Sequence, residues 1–439
     1  MKSLLIPKPA ITIMTTLRDH GFECYLVGGA IRDYLLGLEP KDYDLCTSAN
    51  EEEIRSCFPG ATFICDNGAK HGTLTIRMGE TNTEVSTFRN QEGTKPSLET
   101  DLRHRDLTIN SIAYDGEKFI DPCGGIGDIK NKTLTLGDNP SQAIIEDPLR
   151  ILRVLRFKAN LGFRIEEKTA AAIKESAKLL KNVAKERILV ELRGILIDEN
   201  ILATLLDYQE IFLVLFPDLV PTVGFDQHTR WHAHKLYEHI AHVVAGVPAD
   251  FMLRFAALLH DNGKVRCVSQ EDKPDGSFVY HFPGHPQESA LMAKPVLKEY
   301  RLPLKEAEEI LFLIAHHDYV IAPKPKSVRK FLALAYGVCP EDPLSLLDKL
   351  LRLQESDHAD HTILVPIPRA EILDIAKAII DGKEAFSLKD LAIRGEDLLV
   401  LGYQGKIIGI ALRSALDEVI AERIPNEKEP LLQFISSRF

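Results

Sequence analysis

The sequence has 439 residues, of which 45% are hydrophobic and 27% are charged, and its formal net charge at pH 7 is −11. This length and composition are typical of a soluble protein with two to four domains, and they exclude a disordered chain and a membrane protein. No apolar run approaches a membrane span and the first residues are too few for a signal peptide, so we expect a cytoplasmic protein. The seven cysteines lack CxxC spacing, which favours reduced thiols over a zinc ribbon.

A strand, two glycines and a helix are predicted close to the N-terminus. Residues 24–27 form an apolar run that predicts a buried strand, and Gly28 and Gly29 follow it directly. A helix is predicted to begin near Arg32. Glycines allow a backbone to approach a polyphosphate closely, and the N–H groups at the start of a helix favour negative charge. This segment therefore predicts a phosphate-binding site.

Two carboxylates follow this segment. Asp42 and Asp44 alternate with Tyr43, and in a predicted strand they would project from the same face without a nearby cation. Carboxylates that share a face repel each other, and a divalent metal is the usual remedy. Glu84, on a later predicted strand, is a candidate for a third acidic group. The alternative for Asp42 and Asp44 is a polar turn after a helix.

The remaining elements of this first region follow from periodicity and capping residues. A first helix is predicted over residues 10–20, and a second over residues 50–57 with Asn50 as its N-cap. Alternating runs at residues 73–77 and 83–88 predict strands of one mixed sheet. A polar loop is predicted between Phe88 and Leu102, and then Arg105 and Asp106 precede an apolar-periodic segment that predicts a helix. Residues 120–134 predict a turn and a final strand.

Residues 145–157 predict a helix that carries a line of charged side chains. With Pro148 in its first turn, Asp147 and Arg150 would lie on one face, and Arg153 and Arg156 would continue that line. Cytosine and adenine each present an amino donor beside a ring acceptor, so a fixed carboxylate and guanidinium complement both bases. Guanine and uracil present the opposite order and would leave both groups unpaired. The alternative is a plain surface salt bridge.

Basic residues are concentrated in one segment of this acidic chain. Between Arg150 and Arg193 there are 12 lysines and arginines against 5 acidic residues. A basic segment beside an acidic body is compatible with nucleic-acid binding on one surface, and equally with a solvated helical face.

These motifs, taken in order, resemble those of the class II tRNA nucleotidyltransferases and bacterial poly(A) polymerases. The chain has GGxxRD at 28–33, DxD at 42–44, a relative of the RRD motif at 104–106 with His104 in place of the first arginine, EDxxR at 146–150 and ERxxxEL at 186–192. The resemblance implies an α+β chain, with a polymerase-beta-type head of mixed sheet and helices followed by a largely all-α neck, HD domain and tail. It also implies addition of CCA to the tRNA 3′ end from CTP and ATP.

The resemblance assigns a role to each matching residue. Asp42 and Asp44 would hold Mg²⁺ as the catalytic pair, and Gly28, Gly29 and Arg32 would cradle phosphates. The ribose would be held by Arg105 and Asp106, the base by Asp147 and Arg150, and the triphosphate by Arg153 and Arg156. An aspartate near the sugar can accept a hydrogen bond from the ribose 2′-OH and so distinguish ribonucleotides from deoxyribonucleotides. The alternative is that Asp106 is a helix N-cap.

A second set of residues resembles the HD phosphohydrolase superfamily. His239, His260, Asp261 and Asp357 occur in the order of its metal ligands, and HDNGK at 260–264 is similar to its HDxGK core. His285, His316 and His317 are candidates for completing a two-metal site with a second divalent ion. The alternative is a helical body that keeps its histidines for packing.

The resemblance also predicts domain boundaries: a head over 1–138, a neck with the template helix over 139–225, an HD domain over 226–361 and a helical tRNA-binding tail over 362–439. In the tail, two helices separated by a glycine-rich turn carry Lys406 and Arg413 as candidate phosphate contacts.

One segment departs from the family pattern. The loop from Arg89 to Asp101 is shorter than in members that add the whole CCA, and loss of this loop accompanies enzymes that stop after CC. We therefore keep complete CCA addition as the main hypothesis and CC addition as an alternative. A poly(A) polymerase would share every head motif. An HD phosphohydrolase acting on nucleotides or cyclic phosphate ends is a hypothesis of another class, as is a tRNA-binding chaperone, which the intact acidic motifs argue against.

Overall fold

The computed structural model of the protein describes residues 4–64, 72–89, 96–229, 233–362 and 366–439. The chain divides into two compact units, Met1–Ile195 and Leu196–Phe439, and each is described by itself. The four domain boundaries expected from the sequence stay a prediction.

The described residues of the first unit contain a seven-stranded mixed sheet in the order β3-β4-β5-β2-β1-β6-β7. Its strands are β1 (Cys24–Val27), β2 (Asp44–Thr47), β3 (Thr62–Ile64), β4 (Thr73–Met78), β5 (Thr81–Thr87), β6 (Ala113–Tyr114) and β7 (Phe119–Ile120). The pairing of β2 with β5 is parallel, with Leu45 opposite Val85, and the other pairings are antiparallel. The predicted mixed sheet is confirmed.

Helices flank this sheet and then continue the chain. They are α1 (Lys8–Asp19), α2 (Gly29–Leu35), α3 (Glu51–Cys57), α4 (Leu98–Arg103), α5 (Gly125–Asn131), α6 (Pro140–Glu146), α7 (Arg150–Leu161), α8 (Glu167–Ser176) and α9 (Lys185–Leu196). A short parallel pair, β8 (Thr133–Leu134) with β9 (Arg164–Ile165), lies between them. Leu98 and Leu102 of α4 share a buried apolar cluster with Val27 and Cys46, which fixes this helix beside the two central strands.

The local predictions were right where a cap or a period is strong. Asn50 caps α3 with a complete capping box, because its side chain accepts from the Glu53 N–H while the Glu53 carboxylate accepts from the Asn50 N–H. The first helix was predicted over residues 10–20, and the structure has it over Lys8–Asp19.

Two predicted elements of the head are wrong. The segment after Asp106 forms only a 3₁₀ turn, Thr108–Asn110, because the residues beyond it pair with β1 as strand β6. The predicted turn within residues 120–134 contains helix α5. Asp121 caps this helix, because the Gly125 and Ile126 N–H groups donate to its carboxylate at 2.8 and 2.9 Å.

The second unit is largely helical. Its elements are α10 (Ile201–Asp207), α11 (Gln209–Leu215), α12 (Leu236–Gly246), α13 (Phe251–Leu259), α14 (Lys264–Cys267), the hairpin β10 (Ser269–Asp272) and β11 (Phe278–His281), α15 (His285–Glu299), α16 (Leu304–His316), α17 (Pro325–Val338), α18 (Pro343–Ala359), α19 (Arg369–Asp381), α20 (Gly395–Val400), α21 (Lys406–Ile420) and α22 (Lys428–Arg438). The expected fold class, a mixed-sheet head followed by a helical region, is confirmed. Among the described residues, every helix is too short or too polar to cross a membrane.

Candidate active site and metal centre

The two glycines lie where the central strand β1 ends. Gly28 has φ 77° and ψ −133°, a conformation that favours glycine, and helix α2 begins at Gly29. The helix thus begins three residues before the predicted start at Arg32. A β-carbon on Gly28 would lie 3.6 Å from Arg105 Nη1, so this backbone turn faces a guanidinium.

Asp44 lies beside this turn because of the sheet register. It is paired with Val27 across β1 and β2, and the parallel pairing of β2 with β5 places Glu84 next to it. Burial, Glu84 and Asp42 raise the pKa of Asp44 to about 6, while Arg105 opposes that rise. The expectation that Glu84 lies near the pair is therefore supported for Asp44.

Asp42 does not share a strand with Asp44, which corrects the sequence-based prediction. Strand β2 begins only at Asp44, and Asp42 is exposed in the segment before it. Asp42 is nevertheless near enough to raise the pKa of Asp44.

The head carboxylates fit a divalent cation that is shared with a ligand. Asp44 has two acidic neighbours against one basic one, so positive charge is what the site lacks. In the described parts of the chain, the groups of three or more ligand side chains gathered within 4.8 Å all lie in the second unit. Mg²⁺ is commonly held by one or two carboxylates together with substrate phosphates, and the head agrees with that mode of binding.

Arg105 is held by a residue that the sequence analysis did not single out. Its Nε and Nη2 donate to Asp101 Oδ2 at 3.0 and 2.9 Å, and Asp101 is fully buried. The i,i+4 spacing of Asp101 and Arg105 is the signal that could have revealed this pair. Arg32 is similarly fixed, because its Nη1 donates to Asn110 Oδ1 at 2.8 Å and it bonds the adjacent Asp33.

Asp106 lies in an ion-pair network. Arg150 Nε donates to Asp106 Oδ1 at 3.3 Å, and Arg153 Nη1 donates to Asp106 Oδ2. Both of its carboxylate oxygens are thus engaged by arginines that lie more than forty residues later in the chain.

The structure separates Asp147 from the helix that carries Arg150, so the predicted single helix over 145–157 is wrong. Helix α6 ends at Glu146, Asp147 is extended at φ −141° and ψ 97°, and α7 begins at Arg150. The cause is Pro148, since the residue before a proline disfavours the α conformation. Asp147 and Arg150 therefore do not lie on one helical face.

Both residues have protein partners elsewhere. Asp147 accepts from Arg187 Nη2 at 3.1 Å. Arg150 is 8% exposed, and besides Asp106 its guanidinium donates to the carbonyls of Ala143 at 3.1 Å and His104 at 2.9 Å.

Helix α9 supports the charged face of α7. Glu191 is buried and accepts from Arg156 Nε at 2.7 Å, with Arg153 Nε at 3.4 Å. The same helix supplies Arg187 to Asp147. The ERxxxEL segment at 186–192 therefore braces α7 and fixes Asp147 through Arg187.

The short loop is only partly described. Residues 90–95 of the segment Arg89 to Asp101 lie outside the described residues. Its end is not a loop, since α4 begins at Leu98 with Ser97 as its N-cap. Arg89 Nη1 donates to the His104 carbonyl at 2.8 Å.

The four predicted HD residues converge in the second unit. His239 lies on α12, His260 and Asp261 follow α13, and Asp357 lies on α18, with all four buried. Their ligand atoms lie within 4.8 Å of one another. His239 Nε2 is 3.2 Å from Asp261 Oδ2 and 3.1 Å from Asp357 Oδ1.

Two further histidines extend this cluster and one does not. His285 and His317 form a group with Asp261, and their Nε2 atoms are 3.1 Å apart. His316 lies in neither of these groups, which corrects the expectation, and its ring stacks on Phe312 instead. His316 is the last residue of α16, whereas His317, which follows the helix, has its Nε2 3.5 Å from Asp261 Oδ1.

The donor set fits a divalent metal. In the described part of the chain, no hydrogen-bond partner is found for the buried atoms His260 Nε2, Asp261 Oδ1 and Asp357 Oδ1. Burial lowers the pKa of His239, but the adjacent carboxylates of Asp261, Asp357 and Asp360 outweigh burial and raise it to about 10. The carboxylates of the cluster thus stabilise a positive charge placed among them. Imidazole and carboxylate ligands suit a transition metal.

A cleft of about 440 Å³ opens beside this cluster. Its lining includes Lys264, Tyr280, His285, Asp357 and His361. Lys264 Nζ lies 2.6 Å from Asp261 Oδ2. A small anionic group could enter here next to the metal ligands.

The predicted tail turn is confirmed. Gly402 and Gly405 have positive φ angles between α20 and α21, and Lys406 and Arg413 are exposed on α21. Exposed apolar side chains surround them: Val400 is 88% exposed, and Leu399, Ile407 and Ile410 are about half exposed.

Four family models match successive parts of the chain. Residues 24–135 match the poly A polymerase head domain, 162–222 the probable RNA- and SrmB-binding site of polymerase A, 228–363 the HD domain and 326–435 the tRNA nucleotidyltransferase domain 2. The resemblance of the head and of the HD segment to these families is confirmed.

Curated relatives match the chain over less than half of its length. A CC-adding tRNA nucleotidyltransferase of Halalkalibacterium halodurans is 45% identical over 192 residues, 43% of this chain and 48% of that protein. A CCA-adding enzyme of Ligilactobacillus salivarius is 40% identical over 205 residues, 44% of this chain and 50% of that protein. The chain thus spans about half the length of the curated relatives it matches.

Solved structures match over the whole chain. The Bacillus stearothermophilus CCA-adding enzyme in complex with CTP has a TM-score of 0.68 and 24% identity, and the match covers 99% of this chain and 98% of that one. The Thermotoga maritima CCA-adding enzyme complexed with tRNA has a TM-score of 0.62 and 20% identity over 99% and 96% of the two chains. The fold is therefore that of the CCA-adding enzymes.

Proposed function

We propose that this protein is a cytoplasmic tRNA nucleotidyltransferase that adds CCA to the tRNA 3′ end from CTP and ATP. The observation that carries the proposal is the convergence of Gly28, Asp44, Glu84 and Arg105 at the end of β1. A backbone turn for phosphate, a carboxylate short of positive charge and a fixed guanidinium are what transfer of a nucleotide from a triphosphate requires.

In the proposed reaction the tRNA 3′ oxygen attacks the α-phosphorus and its proton passes to water. The bond between the α-phosphorus and the oxygen that bridges to the β-phosphorus breaks, and pyrophosphate leaves with that oxygen. Asp42 and Asp44 would hold Mg²⁺, which when bound supplies positive charge to the triphosphate and lowers the pKa of the 3′-OH. Gly28, Gly29 and Arg32 would position the phosphates. Arg105, held in place by Asp101, would face the bound nucleotide without rearrangement.

Arg105 and Asp106 remain the proposed ribose contacts. Asp106 is engaged by two arginines, but each carboxylate oxygen has two lone pairs, so an additional hydrogen bond from a 2′-OH is compatible with that network.

Asp147 and Arg150 remain the proposed base contacts, with an exchange of partners on binding. Asp147 would leave Arg187, a half-exposed partner, to accept from the amino group of C or A. Arg150 would turn one N–H from a carbonyl to the base. Arg153 and Arg156 would reach the triphosphate from α7 while Glu191 limits their freedom.

The length of the product is the finer part of the proposal. Relatives of both kinds match, a CC-adding and several CCA-adding enzymes. We keep complete CCA addition as the main proposal, with CC addition as the alternative that the short segment after Arg89 favours.

The test is incubation of the protein with Mg²⁺ and tRNA transcripts that end before CCA or after CC. CTP, ATP or both are supplied, and products are resolved to single nucleotides. Addition of CC and then one A supports the proposal. A stop at CC with both nucleotides present supports the CC-adding alternative, and long A tails from ATP alone would indicate a poly(A) polymerase.

A variant pair tests the assignment of the site. Asp42→Ala is expected to abolish incorporation of both nucleotides while tRNA still binds, as measured by filter binding. The matched control is Asp272→Ala, an exposed hairpin carboxylate of the second unit, which should leave incorporation unchanged. Residual Asp42→Ala activity above about a hundredth of normal would contradict the metal-ligand role.

The tail would contact tRNA through α20 and α21. Lys406 and Arg413 offer charge to phosphates, and the exposed Val400, Ile407 and Ile410 offer apolar area to stacked bases. Lys406→Ala is expected to weaken tRNA binding modestly and to reduce its salt dependence.

A second candidate function is hydrolysis of phosphate esters in the HD site. The convergence of His239, His260, Asp261 and Asp357 beside a cleft favours it. These residues would hold a divalent metal, which when bound supplies a nucleophilic water. Lys264 would orient a phosphate in the cleft.

This candidate is tested with nucleoside monophosphates and 2′,3′-cyclic nucleotides in the presence of Mn²⁺, Ni²⁺ or Co²⁺. Release of phosphate or ring opening should be lost in Asp261→Asn, whereas CC or CCA addition by that variant measures the head separately. Equal hydrolysis by the parent protein and the variant would refute the assignment.

A further inference from the structure

A second histidine–carboxylate group lies next to the HD cluster. His234 precedes α12, His242 lies on α12, and Asp360 follows α18, so three separate positions of the chain bring these side chains together. Their ligand atoms lie within 4.8 Å of one another. His234 is 38% exposed, which leaves the group open to solvent on one side.

The geometry of the group suits ligation better than packing. His234 Nδ1 lies 2.8 Å from Asp360 Oδ1, and the rings of His234 and His242 are nearly parallel, with centroids 4.3 Å apart. Across the described ranges, the ring of His242 has no hydrogen-bond partner, so a nitrogen remains available to a ligand. Two imidazoles and one carboxylate with an open side are a donor set for Zn²⁺, Co²⁺ or Fe²⁺ with water completing the coordination.

Asp360 connects this group to the HD cluster. While its Oδ1 faces His234, its Oδ2 is 2.8 Å from His239 Nδ1. A histidine that ligates through Nε2 commonly donates its Nδ1–H to a carboxylate, which fixes the tautomer and the ring orientation. Gln227 makes a second connection, because its Nε2 donates to the His234 carbonyl at 3.3 Å and its Oε1 accepts from Lys264 at 3.0 Å.

We propose that His234, His242 and Asp360 form a second transition-metal site, and that a metal there fixes Asp360 and through it His239. The site itself stands on its own geometry, whereas the effect on His239 rests on the proposed role of the HD cluster. The second metal would be a supporting ion, since the cleft beside the HD ligands is lined by Asp357 and His361 and not by His234 or His242.

The test measures metal content of the full-length protein after removal of metal and dialysis against Zn²⁺ or Co²⁺. His242→Gln is expected to bind about one equivalent less than the parent protein, and Asp261→Asn is expected to retain that equivalent while losing metal from the HD cluster. The matched control is His20→Gln, an exposed histidine of the first unit outside both groups, which should match the parent. Circular dichroism melting verifies that each variant is folded.

Equal metal content in the parent and His242→Gln would overturn the second site. A loss in His242→Gln together with no loss in Asp261→Asn would leave the second site standing and refute the HD metal proposal, so the two failures are distinguishable. The connection from Asp360 to His239 is tested with Asp360→Asn, which should weaken metal binding at the HD cluster about 10- to 100-fold. An unchanged metal affinity of the HD cluster in Asp360→Asn would refute this connection.

Discussion

Replacing Asp44 by asparagine is expected to stabilise the metal-free protein while abolishing nucleotide incorporation. Burial, Glu84 and Asp42 raise the pKa of this carboxyl group from 3.8 to about 6, against the opposing effect of Arg105. The folded state therefore disfavours the ionised form that a metal would need. Asparagine has nearly the same shape and carries no charge, so the repulsion disappears together with the proposed metal ligand.

The size of the effect follows from the pKa difference. A carboxyl group whose pKa is higher in the folded state contributes stability that is fully present below about pH 4 and is lost as the pH rises through about 6. Two pKa units correspond to roughly 3 kcal/mol, and partial solvent access to Asp44 reduces this to about 1–2 kcal/mol. For a unit of this size, each kcal/mol shifts the melting temperature by roughly 2–4 °C.

Calorimetry in EDTA at pH 7.5 and at pH 4.5 measures this difference. We expect Asp44→Asn to raise the melting temperature of the first unit by several degrees at pH 7.5 and by much less at pH 4.5. The control Asp42→Asn alters an exposed carboxylate and should change the free energy of unfolding by less than about 0.5 kcal/mol, although it too loses incorporation. Equal stabilisation at both pH values, or destabilisation at pH 7.5, would refute the electrostatic explanation.

Three further substitutions test the network around the site. Glu191→Gln leaves two arginines of α7 without their buried partner, so we expect a loss of about 1–3 kcal/mol in denaturant unfolding and a lower kcat/KM for both nucleotides; unchanged kinetics would contradict the bracing role. Arg254→Met removes a buried guanidinium that donates to three backbone carbonyls, and urea unfolding of the second unit should show a loss of about 2–4 kcal/mol. Arg187→Gln releases Asp147 from a half-exposed pair worth at most about 1 kcal/mol, so the KM for CTP should fall up to about fivefold with kcat nearly constant; a rise in KM would argue against exchange of partners.

Strong local signals made strand β1, the backbone turn at Gly28 and Gly29, and the N-cap at Asn50 predictable. Each depends on residues within a few positions of one another, so the sequence contains the whole cause. The HD cluster was also predictable, although His239 and Asp357 are far apart in sequence, because the order of ligands is specific to a superfamily. His316 was wrongly included because the order of residues along the chain does not reveal which side chains of a helix turn toward the cluster.

The partners of the charged residues were not predictable in the same way. Asp106 receives Arg150 and Arg153 from 44 and 47 residues away, and no local pattern encodes that meeting. The break at Asp147 was predictable in principle, since the residue before a proline avoids the α conformation, but helical periodicity on either side concealed it.

These long-range pairs change the physical account of the basic segment. Arg150 and Arg153 are paired with Asp106, and Arg153 and Arg156 with Glu191, so three arginines of α7 share two carboxylates and most of their charge is compensated inside the first unit. An incoming triphosphate must compete with carboxylates for these arginines and does not meet bare positive charge. Arg150, a proposed base contact, is hydrogen-bonded to Asp106, a proposed sugar contact. Selection of the base and selection of the sugar should therefore be coupled. Asp106→Asn should therefore disturb the preference for C and A over G and U as well as the preference for ribonucleotides, and incorporation assays with all four triphosphates would measure both effects.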